Sequence, residues 1–228
     1  MKDLNKKHKS QTSTTSIKSY SWISSNTHED QFKAYYNSIK VINHDNNTHT
    51  IYAKGDTILF HSQTCVPYIA YIESLYEEKS SSKKYIITKW FYRVKDIQES
   101  TSKQYILNNN ISTKYDIFLC DSILDHNHIE SILRPCTVLF SPISTSSTSD
   151  NSEDIVNNIL LQNKEIKDIF ICKYRYLPDT YQITPFTSDE VERLNNRHMY
   201  SNSSNSSSRH SSPGSVLNSN NKGKLYQY

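Results

Sequence analysis

Glycine is scarce in this sequence, and its scarcity excludes several common classes of enzyme. The 228-residue chain contains three glycines, Gly55, Gly214 and Gly223, and the last two lie in a polar stretch. Loops that hold phosphate groups need several glycines close together. Neither the dinucleotide-binding pattern G-x-G-x-x-G nor the P-loop pattern occurs in the sequence. The esterase pattern G-x-S-x-G is also missing. The sequence therefore lacks the anchors of dinucleotide-dependent, nucleotide-hydrolysing and esterase folds.

Cysteines and long apolar runs are equally few. The four cysteines are scattered without a C-x-x-C pair: Cys65, Cys120, Cys136 and Cys172. The first residues, which are rich in lysine, lack the apolar stretch of a secretory signal. We therefore expect reduced thiols in a cytosolic or nuclear protein, with the three cysteines in β-prone runs buried as small core residues. No window approaches the roughly 18 uninterrupted apolar residues of a membrane-spanning helix, so no span is predicted.

Charge is nearly balanced, and it does not by itself indicate a nucleic-acid-binding protein. The formal net charge is +3 and the pI is about 8.5, whereas dedicated binders carry a basic stripe. The basic excess lies mostly at the start of the chain, in Lys2, Lys6, Lys7, Lys9 and Lys18. Two interpretations remain open: a solvated disordered arm, or a segment for nuclear import or weak nonspecific nucleic-acid contact.

Serine and asparagine divide the chain into one domain with polar ends. Together they make up about a quarter of the residues, and they crowd into tracts that cannot bury a core. We predict a disordered basic arm at 1–34, a folded domain at 35–197, and a disordered Ser/Asn-rich tail at 198–228. The Ser-rich stretch 141–154 is predicted to be a loop inserted into the domain, because β-prone sequence resumes after it.

The domain itself is predicted to be mainly β. Short β-prone runs recur at about ten-residue intervals, which is typical of a small antiparallel barrel or sandwich. A hairpin is expected around His44-Asp45-Asn46-Asn47. At the other end, Thr187 and Glu190 have the capping-box spacing T-x-x-E, which predicts a short closing helix from about Ser188 to Arg197.

A polar stretch after residue 120 contains groups that could bind a metal ion, namely Asp121, Asp125, His126, His128 and Glu130. Imidazole and carboxylate groups suit zinc. Without a cysteine pair or an H-E-x-x-H motif, a solvated loop is the better interpretation, and no metal or cofactor is predicted. A Cys/His nucleophile, and with it an unrecognised hydrolase, stays open as a third class of function.

Six strings, taken in order, resemble the bromo-adjacent homology (BAH) domain of chromatin proteins. The similarity runs from about Tyr35 to Arg197, and the strings are Gly55–Leu59, Pro67–Glu73, Lys89–Arg93, Asp116–Asp121, Cys136–Phe140 and Phe170–Tyr176. The resemblance implies a distorted β-barrel with short helices, here closed by the C-terminal helix. It also implies a nuclear, non-catalytic binding module without a cofactor.

In the members of this family that read methylated lysine, the resemblance implies an aromatic cage at Tyr68, Trp90 and Tyr92. It further implies that the segment after Cys120 contacts the peptide and offers Asp121 and Asp125 as acidic helpers. The chemistry is reasonable without the family, because a methylated ammonium keeps its charge but loses hydrogen-bond donors, and the faces of Trp and Tyr attract it.

Strand alternation places Trp90 and Tyr92 on one face and Phe91 on the other. If Phe91 and Ile87 face the core, the other two rings stand in solvent, and neighbouring exposed aromatic rings mark a binding surface. Alternation here is imperfect, so the pattern alone also allows all three cage rings to pack in the core.

The sequence therefore predicts a chromatin-binding module that recognises a methylated lysine of a histone tail. Its partners would be a histone tail peptide or nucleosome, together with other subunits of a chromatin complex. The alternative is a BAH scaffold that binds protein or nucleosome without recognising methyl-lysine.

Overall fold

The computed structural model describes residues 17–97, 99–143, 152–162 and 168–202. They form thirteen strands and three α-helices. The strands are β1 (Lys18–Trp22), β2 (His28–Glu29), β3 (Lys33–Tyr36), β4 (Ser38–Asn43), β5 (Thr48–Ala53), β6 (Thr57–Phe60), β7 (Tyr68–Glu78), β8 (Lys84–Arg93), β9 (Asp116–His128), β10 (Ile132–Pro135), β11 (Thr137–Phe140), β12 (Ile169–Leu177) and β13 (Gln182–Pro185). The helices are α1 (Ser100–Asn108), α2 (Ser152–Gln162) and α3 (Ser188–Asn202). None of the described helices is long and apolar enough to cross a membrane.

The strands form a large sheet of ten strands and a small sheet of three. The large sheet has the order β10-β6-β7-β8-β9-β12-β11, with β3 and β13 pairing at its sides and β2 pairing with β3. Only Cys136 separates β10 from β11, which lie at opposite ends of this order, so the sheet must curl until its two ends are neighbours. The described pairings do not join them, and the predicted barrel is therefore an open, curled sheet. The mainly β fold and the C-terminal helix are confirmed.

The small sheet, ordered β1-β4-β5, extends the fold into the segment that the sequence assigned to the basic arm. Trp22 explains why β1 is held there: its ring stacks on Tyr36 at 4.0 Å, and its Nε1 donates a hydrogen bond of 2.8 Å to Glu77. The apolar stacking and the paired indole N–H compensate for ordering this part of the chain. Thus residues 17–34 are structured where a disordered arm was predicted, and residues 1–16 lie outside the described part.

Other elements also differ from the sequence-based expectation. The polar stretch after Cys120 continues as strand β9 to His128, so the predicted solvated loop is wrong. Pairing with β8 holds Asp125–His128 in the sheet although most of these side chains are polar and exposed. Part of the Ser-rich insertion, from Ser152, begins helix α2, while residues 144–151 lie outside the described ranges. The hairpin between β4 and β5 is confirmed, with Asn47 in the left-handed region at φ 52°.

Two buried clusters hold the curled sheet together. The first packs the small sheet against one end of the large sheet and includes Ile39, Tyr52, Ile58, Ile72, Leu75 and Ile86. The second lies on the opposite face under helix α3 and includes Leu59, Ile69, Phe91, Leu119, Phe140 and Phe186. Burying each such side chain contributes about 1.5–3 kcal/mol. Because both clusters draw residues from β6, β7 and β8, these three strands form the rigid centre of the domain.

The start of helix α3 carries the predicted capping box. Oε2 of Glu190 accepts hydrogen bonds from the backbone N of Thr187 at 2.8 Å and from its hydroxyl at 3.0 Å. In return, the Thr187 hydroxyl accepts a bond from the backbone N of Glu190 at 3.4 Å. These bonds satisfy amide groups that have no partner within the helix. The helix runs to Asn202, five residues beyond the predicted end at Arg197.

We expect Thr187→Ala to lower the free energy of unfolding by about 1 kcal/mol, because it removes the N-cap acceptor. Urea denaturation measures this change. The matched control is Ser188→Ala, which removes a hydroxyl from the first helical residue and should change stability by less than about 0.5 kcal/mol. Equal effects of the two variants would contradict the capping role.

The stabilising effect of Glu190 should depend on pH. The bonds from Thr187, followed by the bond and charge of Arg175, hold the pKa of Glu190 below its usual range. A carboxylate with a lowered pKa stabilises the fold above its unfolded pKa of about 4.3, and this contribution is lost as the pH falls through the folded pKa. The stability advantage of wild type over Glu190→Gln should therefore shrink in urea titrations below about pH 4.3. The same comparison with exposed Glu192→Gln should show a smaller dependence.

Candidate functional site

Three of the predicted site residues meet at one open cavity between β7 and β8. Tyr68 begins β7, and Trp90 and Tyr92 lie two residues apart near the end of β8. Because side chains alternate along a strand, Trp90 and Tyr92 face the same side. Together with Tyr68 they line a cavity of about 650 Å³. Strand pairing between β7 and β8, with Ala70 opposite Trp90, brings the two aromatic segments together.

The rings are held at different depths. Tyr68 is 52% exposed, whereas Trp90 and Tyr92 are half-buried. The ring centroids of Tyr68 and Trp90 are 6.0 Å apart with planes at 70°, an edge-to-face arrangement. Behind them, Phe60 packs on Trp90 at 5.3 Å and Tyr176 packs on Tyr92 at 5.4 Å. Tyr68 is therefore the exposed ring of the cavity, whereas packing holds Trp90 and Tyr92 in place.

The neighbouring core residues match the sequence-based expectation in part. Phe91 is buried at 4% exposure and belongs to the cluster under α3, so the prediction that it faces inward is confirmed. Ile87, predicted to share that face, is only half-buried. The large sheet is twisted, and a face that is core at one end is open at the other. For this reason a strict alternation rule fails along β8.

Asp125 supplies one of the two carboxylates that line the cavity, the other being that of Asp96. Oδ2 of Asp125 accepts a hydrogen bond of 2.8 Å from Nε1 of Trp90, which lines the same cavity. A bulge in β9 makes this possible: Cys120 lies opposite Trp90, but Asp125 already lies opposite Thr88. The four intervening residues therefore protrude from the ladder. Because the Asp125 side chain lines the cavity, a cation bound there would meet its negative charge.

Asp121, the other predicted helper, lies at the edge of this bulge and does not line the cavity. Its Oδ2 accepts a hydrogen bond of 2.8 Å from Nε of Arg175. The same guanidinium pairs with Glu190 at 2.9 Å and stacks on Phe186 at 4.4 Å. Arg175 therefore ties the bulge to helix α3. The peptide contact of Asp121 stays a prediction, whereas its described role is to anchor the segment that carries Asp125.

Arg93 connects the two strands of the cavity, and the sequence analysis did not single it out. Its Nη2 donates a hydrogen bond of 2.8 Å to the carbonyl of Pro67, the residue before Tyr68. The guanidinium also lies over the ring of Phe170 at 5.8 Å. Burial lowers the pKa of Arg93 below its ordinary value. Since Arg93 follows Tyr92 directly in β8, it fixes the start of β7 relative to the strand that carries the other two rings.

Further cavity-lining residues were also missed, among them Phe60, Lys95, Ile123 and Asn127. Phe60 pairs with Tyr68 across the β6–β7 hairpin, a register that hairpin spacing could have suggested. Ile123 and Asn127 reach the cavity only because β9 is a bulged strand. No short-range signal in the sequence predicts that bulge.

The other constellations considered from the sequence have structural roles. His126 bonds to the Tyr76 hydroxyl through Nδ1 at 3.0 Å, and His128 stacks on Tyr85 at 4.5 Å. Across the described ranges, no group of three or more His, Cys, Asp or Glu residues is placed to hold a metal ion. Cys120 and Cys172 are buried, as predicted, whereas Cys136, predicted to be buried as well, is half-buried. Burial raises the pKa of the Cys172 thiol. A protonated thiol in the core is a poor nucleophile.

A family model and a solved structure are similar to this chain. A family model described as the BAH domain matches residues 50–186, more than half of the chain. Among solved structures, the yeast Rsc2 BAH domain matches with a TM-score of 0.41 and 16% identity. That match covers 63% of this chain and 52% of the Rsc2 chain, so this chain spans about half the length of that structure. A search among curated proteins gives no match.

BAH domains are generally chromatin-associated, and they are typically binding modules rather than enzymes. The region that the family model covers contains all three cavity rings, both acidic residues and Arg93. It runs from within β5 to the residue before the cap of α3 and so includes most of the large sheet. The chain therefore belongs to the BAH domain family.

Proposed function

We propose that this BAH domain binds chromatin in the nucleus by recognising a methylated lysine of a histone tail. The observation that carries the proposal is the single cavity lined by Tyr68, Trp90, Tyr92 and Asp125. Aromatic rings together with the carboxylates of Asp125 and Asp96 suit a bulky cation that has lost hydrogen-bond donors. An unmethylated ammonium is more strongly hydrated and gains less from the same rings.

The free energies of the ring contacts predict a modest affinity that is selective for methylated lysine. Each ring face contributes about 0.5–2 kcal/mol to holding a cation, depending on how far water is excluded. Phe60 and Tyr176 keep two of the rings in place, so little ordering free energy is lost on binding. Tyr68 is the most exposed ring, and closing it over the ligand would add most to water exclusion.

The backbone of β9 supports an extended peptide as the ligand. Strand β12 pairs with β9 only from Asp116 to Leu119, and the described pairings leave the outer edge of β9 open beyond that point. This edge lies next to the cavity, because Ile123 and Asp125 line it. An extended chain can pair with such an edge through main-chain hydrogen bonds, which position the tail while the cage reads one side chain.

A second candidate is a scaffold that contacts a protein or nucleosome without reading methylation. The exposed apolar side chains on the β9 bulge favour it: Ile123 is 37% exposed and Leu124 is 51% exposed. Both side chains can also serve a peptide reader, since Ile123 lines the cavity and Leu124 follows it in the same strand. Sensitivity to methylation separates the two candidates.

We expect Tyr68→Ala to weaken binding of a trimethyl-lysine histone peptide by about 3- to 30-fold, the equivalent of one ring face. Because Tyr68 is half-exposed, its removal should leave the melting temperature nearly unchanged. Isothermal titration calorimetry on matched methylated and unmethylated peptides measures the effect. Phe32→Ala is the control, since Phe32 is 66% exposed and lies outside the cavity.

For Tyr68→Ala, the decisive comparison is between the two peptides. Wild type should prefer the methylated peptide, and the variant should lose most of that preference, while Phe32→Ala should keep it. Equal affinity of the wild-type protein for both peptides would reject the cage and favour the scaffold.

Asp125→Asn should weaken binding of the methylated peptide by about 2- to 5-fold, because it removes the charge but keeps an oxygen that can accept the Trp90 bond. The salt dependence of binding should also become shallower, since one charge attraction is lost. Fluorescence anisotropy at several salt concentrations measures both effects. Asp45→Asn makes the same charge change in the β4–β5 hairpin of the small sheet and should have neither.

A further inference from the structure

A second cavity, of about 420 Å³, lies between the start of α1 and the turn that joins β12 to β13. Glu99 is the only charged residue among those that line it, and two aromatic residues, Tyr105 and Tyr181, contribute to its walls. The residues that line this cavity belong to none of the predicted site motifs and are not part of the proposed cage.

Tyr181 is held there in an unfavourable backbone conformation. Its φ is +58°, in the left-handed region that disfavours a bulky side chain. The other non-glycine residues with a positive φ in the described ranges are small and polar: Asn47, Ser82 and Asn110. Glycine or asparagine at position 181 would adopt this turn at lower cost. The residue is 54% exposed, so burial in the core does not explain a large aromatic side chain at this position.

The surrounding contacts keep Tyr181 in place. The Ser102 hydroxyl, buried at 2% exposure, donates a hydrogen bond of 2.7 Å to the carbonyl of Tyr181. Glu99 is itself fixed, because its Oε2 accepts a bond of 2.7 Å from the backbone N of Ser102. Bonds from the backbone of Thr101 and then Ser102 lower the pKa of Glu99 to about 2, so it is ionised at neutral pH. The exposed ring and the carboxylate are therefore tied to the same turn of α1.

The two cavities lie on either side of one buried cluster, because Tyr92 of the cage and Tyr105 and Ile183 of the second cavity all pack against it. Tyr92 of the cage contacts Tyr176 with ring centroids 5.4 Å apart. Tyr176 in turn lies opposite Ile183 of β13, which lines the second cavity. The step from Trp90 to Tyr92 is about 7 Å and the step from Tyr176 across the strand pair to Ile183 is about 5 Å, so together with the ring contact about five residues of extended chain at roughly 3.3 Å each reach from one cavity to the other.

We infer that this cavity, lined by Tyr181 and Glu99, is a second subsite that binds a cationic side chain of the same tail whose methylated lysine occupies the cage. The inference rests on the proposed function and deepens it. An aromatic face beside an ionised carboxylate suits an arginine or lysine side chain. We expect the second cation about four to six residues from the methylated lysine along an extended peptide.

The test uses synthetic peptides with a central trimethyl-lysine and otherwise neutral residues. One series carries a single arginine four, five or six positions away on either side, and the reference peptide carries glutamine instead. Calorimetry with the full chain should show that arginine at the favoured position tightens binding by about 3- to 10-fold, as expected for one exposed cation–π contact and one surface ion pair.

Tyr181→Asn should abolish the gain from arginine and leave the affinity of the glutamine peptide unchanged. Its melting temperature should rise by a few degrees, because asparagine tolerates the left-handed conformation. If Tyr181→Asn binds the arginine peptide more weakly than wild type does, unfolding is therefore not the cause. Glu99→Gln keeps an oxygen to cap α1 and should reduce the gain in a salt-dependent way. Ser82→Gly, which relieves the same backbone conformation in the β7–β8 hairpin, should keep the full gain.

The outcomes separate the two proposals. If the glutamine peptide binds regardless of methylation, the cage is rejected and the subsite with it. If that peptide binds through its methyl-lysine but arginine adds nothing, or adds as much in Tyr181→Asn as in wild type, only the second subsite is overturned.

Discussion

The candidate site depends on the pairing of strand β8 with β7 on one side and β9 on the other. Trp90 and Tyr92 lie on β8 itself, Tyr68 arrives with β7, and Asp125 arrives with β9. Each pairing is broken by an irregularity, and the one in β9 shifts Asp125 toward Trp90. A regular ladder would place a different residue there, because one extra residue moves every following side chain to the other face. The bulge is thus the feature that combines a carboxylate with the rings.

Two arginines stabilise this arrangement from outside the cavity. Arg93 holds the carbonyl before Tyr68, and Arg175 joins the start of the β9 bulge to helix α3. A buried or half-buried guanidinium is costly unless its donors are used, and here the described bonds go to a backbone carbonyl and to two carboxylates. The capping box of α3 belongs to the same network, since Glu190 accepts from both Thr187 and Arg175. Stability and site geometry are therefore coupled through these side chains.

Local signals predicted the parts of the fold that depend on local chemistry. The β4–β5 hairpin and the start of α3 follow from turn and capping residues that interact within a few positions. Local sequence signals failed where contacts between residues far apart in the sequence determine the conformation. Trp22 keeps β1 structured only because Tyr36 and Glu77 lie beside it. The polar residues after Cys120 form a strand only because β8 offers a partner, and a polar pattern by itself resembles a loop.

The sequence by itself determined the family and the identity of the three rings, because ordered strings fix register as well as composition. It also determined that the domain is mainly β and ends in a capped helix. Tertiary structure alone decided that the sheet is curled but open, that Asp125 rather than Asp121 enters the cavity, and that Tyr181 stands strained beside Glu99. The physical reason is that each of these features has a local energetic cost, which contacts between residues far apart in the sequence offset. Bulges, ion pairs between distant strands and positive φ angles all belong to this class, and a local sequence pattern does not reveal the distant contacts.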